Sequence, residues 1–245
     1  MDSSHARVLA PAPPLDVVTA RVAALRRRIE DAGRDPTGVR VVAVTKGFSS
    51  ETVEVARHAG LYDIGENYAD ELLTKIGASR GPETAHHAPV DATDATPVTR
   101  WHYLGAIQRR RVRMLAPVVS CWQTLSRASE GETIARHAPG ATVLVEVETT
   151  GAPGRNGCRA SEVPALVASL QGNGLDVRGL MTVGPPGPPE ESRPAFRLTA
   201  QLARDLGLPE MSMGMSDDLD VALSEGSTMV RVGRALFGER PLRPA

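Results

Sequence analysis

The sequence predicts an α/β protein built as a single closed (β/α)8 barrel of the TIM type, with one extra helix in front. Three observations predict it. Eight strand-like runs alternate with helix-like runs after a leading helix, the pattern of parallel strands joined by crossover helices. The 245-residue chain has the size of one such barrel, typically ~250 residues. The run Val41-Val42-Ala43-Val44 is apolar at consecutive positions, as in a strand buried on both faces. No Gly-x-Gly-x-x-Gly follows that strand, which argues against an open dinucleotide-binding sheet.

Composition excludes several classes of function. Hydrophobic residues at 41% and charged residues at 23% are ordinary for a soluble domain, and aromatics at 3% leave the core to Val, Leu, Ala and Met. A net charge of -1 provides no general attraction to nucleic acid or to acidic membranes. Cys121 and Cys158 show no metal spacing, so no metal site is expected, and a reduced, cytoplasmic protein is the simplest inference. Met1 to Asp16 lacks the apolar core of a signal peptide, and no run is long enough to span a bilayer.

Taken in order, residues 1–16 read as a polar, proline-rich tail, loose up to about Pro14. Val17 to Ala32 carries Val18, Val22, Leu25 and Ile29 at helical spacing, with arginines on the opposite face. The first strand then ends at Lys46-Gly47. Ser50 is a candidate cap for a helix reaching Ala59, where Glu51 and Glu54 suit the positive end of the dipole and Gly60 ends the run. Leu61 to Tyr68 is a short strand with a polar tip, and Ala69 to Ile76 a helix. From Gly77 to Thr99 the composition turns to Ala, Thr, Pro, His and Asp without period, which reads as a mobile loop insertion. His86-His87 lies inside it and reads as solvated rather than metal-binding.

Trp101 to Gly105 is the third strand. Gln108 to Leu115 holds Arg109, Arg110, Arg111 and Arg113. Without interleaved aromatics it reads as a solvated helix face rather than a nucleic-acid patch. Strands Val118–Leu125 and Thr142–Val147 flank a helix from Ser126 to His137. A glycine-rich loop, Thr149 to Gly157, leads to a helix over Ser161–Leu170 and to the sixth strand, Leu175–Val183. The helix Phe196–Leu206, the seventh strand Met211–Met215, the helix Asp217–Ser224 and the eighth strand Thr228–Val232 complete the alternation. A last turn begins at Arg234, so the barrel spans 17–240, with 241–245 as a tail.

In such a barrel the C-terminal ends of all the strands meet at one mouth, however distant in sequence. Lys46, Asn67, His102, Met181, Met215 and Gly233 fall at those ends. Burying a lysine is costly and lowers its pKa, which suits an amine that must attack a carbonyl to form a Schiff base. From its own segment alone, Lys46 reads more plainly as a side chain emerging into solvent. Met213-Gly214-Met215-Ser216-Asp217-Asp218 and Arg231-Val232-Gly233-Arg234 each place glycine and a helix start after a strand, and the loops after the seventh and eighth strands are where these barrels hold phosphate. For either loop alone, Ser216 capping its helix with Asp217 and Asp218 beside it is the competing reading. A Schiff-base lysine and a phosphate seat together fit pyridoxal 5′-phosphate. Arg231 is placed to meet the ring nitrogen, or else to form an ion pair inside the barrel. As a permanent cation it would donate to an unprotonated pyridine, which makes the ring a weak electron sink.

Six ordered motifs carry a resemblance: Val42-Ala43-Val44-Thr45-Lys46, Ile64-Gly65-Glu66-Asn67-Tyr68, Trp101-His102-Tyr103-Leu104-Gly105, Arg178-Gly179-Leu180-Met181, Ser212 to Asp218, and Gly226 to Gly233. Together, over residues 17 to 240, they resemble the pyridoxal phosphate homeostasis protein family. The resemblance implies a barrel like the N-terminal domain of alanine racemase, with the cofactor on Lys46. It implies phosphate contacts at Ser216, Gly233 and Arg234, a ring contact at Arg231, and pocket positions at Asn67, His102 and Met215. It also implies cofactor binding and supply without turnover, with pyridoxal phosphate-dependent apo-enzymes as receivers; a monomer is expected. The chain departs from the family where a Lys-x-Gly is common after the fifth strand: here the loop reads Arg155-Asn156-Gly157. A small racemase or aldolase is the second reading, and it would need Tyr68, Tyr103 or His102 as acid or base. An interaction module using the arginine-rich helix is the third.

Overall fold

The computed structural model describes residues 9–79, 97–152 and 154–240, and most of the 77–99 insertion therefore lies outside the described residues, His86-His87 included. The elements run α1 Leu15–Asp31, β1 Arg40–Val44, α2 Glu51–His58, β2 Asp63–Glu66, α3 Ala69–Ser79, β3 Arg100–Tyr103, α4 Arg109–Leu115, β4 Val119–Leu125 and α5 Ala128–His137. They continue with β5 Thr142–Glu148, β6 Cys158–Arg159, α6 Val163–Gly172, β7 Asp176–Met181, α7 Arg193–Asp205, β8 Glu210–Ser212, α8 Leu219–Ser224, β9 Met229–Val232 and α9 Arg234–Phe237. Eight of the strands pair in parallel and close on themselves: β1 lies between β2 and β9, and β4 pairs with β5. The ninth, β6, is a two-residue addition against the end of β5, outside the barrel and too short to read from sequence.

The consecutive apolar residues of β1 divide between two cores, as a strand buried on both faces must. Val42 packs inside the barrel with Cys121, Leu144, Met181 and Met229, whereas Ala43 packs outward against the helices. The four apolar positions read on the first helix are all buried. Gly60 ends α2 with φ of 82°, as expected of a glycine past a helix. Ser50 makes no side-chain cap bond at the start of that helix. The tail is less loose than its composition implies. Ala10 is buried, its N–H donates to Gly47 O and its carbonyl accepts from Ser49 N–H, so the chain is fastened at Ala10 to the turn that follows β1.

The barrel interior also holds a polar chain. Asp63 accepts from Arg100 and from His102 Nε2 (2.9 Å), and Gln123 Nε2 donates to His102 Nδ1 (2.7 Å). Ser212 Oγ donates to Gln123 Oε1 (2.7 Å) and accepts from Arg231 (2.7 Å). Burial raises the pKa of Asp63, but the Arg100 and His102 hydrogen bonds overturn that effect and hold it well below the usual carboxylate range. A carboxylate depressed in this way stabilises the fold above its unfolded-chain pKa of ~4, and the stabilisation is lost as pH falls toward the folded value. Asp63→Asn is accordingly expected to flatten the acid limb of a denaturant-midpoint curve below about pH 4. An unchanged acid limb would show that Asp63 contributes nothing to it.

Candidate functional site

The C-terminal ends of the strands surround a cavity of ≈ 330 Å³ lined by Lys46, Asn67, Leu104, Glu146, Met181, Met215, Ser216, Arg231, Gly233 and Arg234, among others. That volume suits a small ligand. A larger cavity of ≈ 490 Å³ opens on residues at the strand starts, but its charged side chains are largely spoken for, Arg40 by Glu210 and Arg100 by Asp63. Seven of the eight residues selected from sequence line the smaller cavity. His102 does not. Strand alternation turns it into the barrel, both ring nitrogens are engaged, and it reaches Arg231 only through Gln123 and Ser212. Leu104, two residues on, takes the wall position at the end of β3.

Lys46 stands where β1 gives way to its turn, and its amine is pushed below the usual lysine range. Burial is the largest cause, followed by the charges of Arg240 and Arg231, while Glu66 and Glu71 pull the other way. Arg231 is buried in β9 with three of its five N–H donors engaged: one nitrogen donates to Ser212 O and Oγ, the other to Thr182 O (2.8 Å). Burial pushes it down to about 10, opposed by the carboxylates of Asp218 and Glu146, so it stays a cation at neutral pH. It is thus neither a surface charge nor half of an ion pair with a direct carboxylate contact. Backbone carbonyls and one hydroxyl hold it against the cavity.

The two loops opposite Lys46 are joined rather than merely adjacent. Ser216 Oγ accepts the Ala235 N–H (3.1 Å), and Arg234 pairs with Asp217. The helix after β8 starts at Leu219, two residues later than the sequence reading, so Ser216 is not its cap. Asp218 instead accepts the Met215 N–H (2.6 Å) and shapes the loop. With α8 and α9 only six and four residues long, dipoles contribute little, and what these loops can offer an anion is backbone N–H groups and the Ser216 hydroxyl. At Gly233 a Cβ would stand 3.1 Å from Val44 O, so this position can approach the end of β1 closely.

Asn67 donates Nδ2 to Leu104 O (3.1 Å), which leaves its buried Oδ1 without a partner at the cavity wall. Gly105 makes this packing possible, since a Cβ there would fall 1.9 Å from Asn67 O. Glu146 was not selected from sequence, because it sits inside an apolar strand. Asn156 donates to it, and burial raises its pKa. Arg155 lies outside the cavity wall and donates to Val183 O and Gly184 O, fastening the fifth-strand loop. Of the acid–base candidates for a racemase, neither Tyr68 nor Tyr103 lines the cavity, and Tyr103 packs edge-on to Trp122 at 5.6 Å.

A second lysine lies directly behind the first. Lys75 of α3 is buried at 1% exposure, with Nζ donating to Thr45 O (2.7 Å) and Glu66 Oε1 (2.5 Å). The signal that could have found it is arithmetic. Of the 28 basic residues Lys46 and Lys75 are the only lysines, the other 26 being arginine.

Among the described residues no group of histidine, cysteine or carboxylate side chains could hold a metal, and no helix is long and apolar enough to cross a membrane. The chain is similar to known proteins over most of its length. Residues 15–241 match the family model of the alanine racemase N-terminal domain. The pyridoxal phosphate homeostasis protein of Pseudomonas aeruginosa is 35% identical over 230 residues, covering 90% of this chain and 94% of that protein. That of Deinococcus radiodurans is 33% identical over 228 residues, covering 90% and 99%. Among solved structures, PipY of Synechococcus elongatus with pyridoxal phosphate bound matches with a TM-score of 0.73 at 26% identity, covering 90% of this chain and 100% of PipY. On its barrel, its motifs and these relatives, the chain belongs to the pyridoxal phosphate homeostasis protein family, built on the alanine racemase N-terminal domain.

Proposed function

We propose that this protein binds pyridoxal 5′-phosphate as a Schiff base on Lys46 and serves the intracellular supply of that cofactor without turning over a substrate. The observation that carries the reading is the pairing of Lys46, an amine below its usual range, with the anion-binding loops at Ser216, Gly233 and Arg234 across one cavity. The donor set fits the group. Lys46 would meet its aldehyde, the loop N–H groups and Ser216 its phosphate, Arg231 its ring nitrogen, and the unpartnered Asn67 Oδ1 could accept from a hydroxyl. When bound, the cofactor supplies an aldehyde that condenses with an amine and releases water. Arg231, a cation at neutral pH, would donate to an unprotonated pyridine nitrogen, which suits retention rather than carbanion chemistry.

The racemase or aldolase reading loses support because none of its three acid–base candidates lines the cavity. Supply to pyridoxal phosphate-dependent apo-enzymes, a monomeric state and a cytoplasmic location complete the proposal. Borohydride reduction of the loaded protein followed by peptide mapping tests it: one modified peptide is expected, the one containing Lys46. Label elsewhere would reject the anchor. In heavy water, loaded protein mixed with amino acids should show no sustained Cα proton exchange, and exchange at enzyme-like rates would instead establish turnover.

A further inference from the structure

We propose that Glu66, Lys75 and Glu71 form a buried clamp that positions Lys46 by holding the peptide groups on both sides of it, and that the clamp's carboxylates balance the positive field of the arginines at the mouth. The inference rests on the reading of Lys46 as the reactive amine. Thr45 O, on one side, accepts from Lys75 Nζ at 2.7 Å, and Gly47 N–H, on the other, donates to Glu71 Oε2 at 2.7 Å. Glu66 ties the two halves together: its Oε1 accepts from Lys75 Nζ and from Thr45 Oγ1 (2.6 Å), and Glu71 lies 4.0 Å from the same ammonium. Both ends of the Lys46 backbone are thus fixed by charged side chains from β2 and α3, which leaves the side chain as the moving part.

The identity of the middle residue follows from its space. Nζ of Lys75 meets Thr45 O, Thr45 Oγ1 and Glu66 Oε1 at full burial, a compact ammonium with a separate donor for each. A planar guanidinium carries five donors in a fixed fork and needs more room. A chain that uses arginine at 26 of its 28 basic positions keeps lysine here and at position 46 alone.

The clamp also acts through charge. Two carboxylates and one ammonium sum to -1, set against Arg231 from β9 and Arg240 from the chain after α9. Glu66 and Glu71 favour the protonated Lys46 amine and the two arginines disfavour it. The other charged groups lining the cavity are Glu146 on β5, Asp217 and Arg234 paired on the anion-binding loops, and Glu239. None of these touches the Lys46 flanking peptides.

With only two lysines, the full-length protein labelled with [13Cε]lysine gives two side-chain resonances, and Lys46→Arg assigns them without any cofactor present. Glu71→Gln keeps an oxygen for Gly47 N–H but removes the charge, and the Lys46 titration midpoint is expected to fall by on the order of 0.5–1 pH unit. Glu66→Gln, a second variant should the first not fold, is expected to move it in the same direction, and Arg240→Gln in the opposite one. A midpoint unchanged or raised in a folded Glu71→Gln or Glu66→Gln protein overturns the clamp. The pH profile of imine formation with pyridoxal 5′-phosphate should move with the resonance. If the resonance shifts while no imine forms in the wild type, the clamp stands and the cofactor reading falls.

Discussion

Lys46→Ala protein mixed with pyridoxal 5′-phosphate is expected to show no imine absorbance at any pH, and to retain on the order of 100-fold less cofactor after gel filtration. The magnitude follows from what remains. The loops at Ser216 and Gly233, Asn67 and Arg231 are untouched by the substitution, so on the proposed reading their contacts to the phosphate and ring would persist, but each would be a reversible hydrogen bond in an open cavity. The covalent link is the part that no neighbour can replace. Lys75 is the sole other lysine side chain, and it is buried behind β1 with its donors committed to Thr45 and Glu66. An imine band surviving in the variant would therefore place the anchor on Lys75 or on the chain's amino terminus, and the reading of the mouth would fail. The thermal stabilisation that the cofactor gives the wild type should vanish with the band, because a ligand stabilises only the state that binds it.

Barrel topology explains why so much of this site was legible from the sequence. Once eight strands are seen to close, residues at their C-terminal ends must converge, and Lys46, Asn67, Met181, Met215 and Gly233 needed only their place in the count. What the count could not supply was depth along a strand. His102 in β3 and Leu104 just past its end are two residues apart, yet one is locked into the interior chain from Asp63 to Arg231 and the other forms the wall. The same limit hid Glu146, whose strand reads as an apolar run. Loop detail was beyond reach for another reason: whether Ser216 caps its helix depends on where α8 starts, and the three-dimensional pairing with Ala235 decided it. Likewise Ala10 sits in a proline-rich segment, and only its bonds to the turn after β1 fix it there.

The clamp was hidden by a different physical fact. On a helix such as α3 a lysine four residues after a glutamate reads as an exposed ion pair, not as a buried side chain. Its removal should accordingly cost far more than a surface change. Lys75→Met leaves Glu66 as a buried carboxylate without its ammonium, and Glu66→Leu leaves the converse. Each single variant is expected to lose about 3–5 kcal/mol of unfolding free energy, measured by denaturant titration. The double variant replaces both charges with apolar groups, so it is expected to recover much of that loss, to within about 2 kcal/mol of wild type. Burial already disfavours the charged form of Glu66, raising its pKa against the opposing charge of Lys75, which is why removing both together is cheaper than removing either. Stability and function should then separate. The folded double variant still lacks the bond from Lys75 to Thr45 O, and its Lys46 should form the imine more slowly than wild type at equal pH. A double variant as unstable as the singles would show that the pair is irreplaceable packing. One that is stable and equally fast in imine formation would show that the peptide before Lys46 needs no holding.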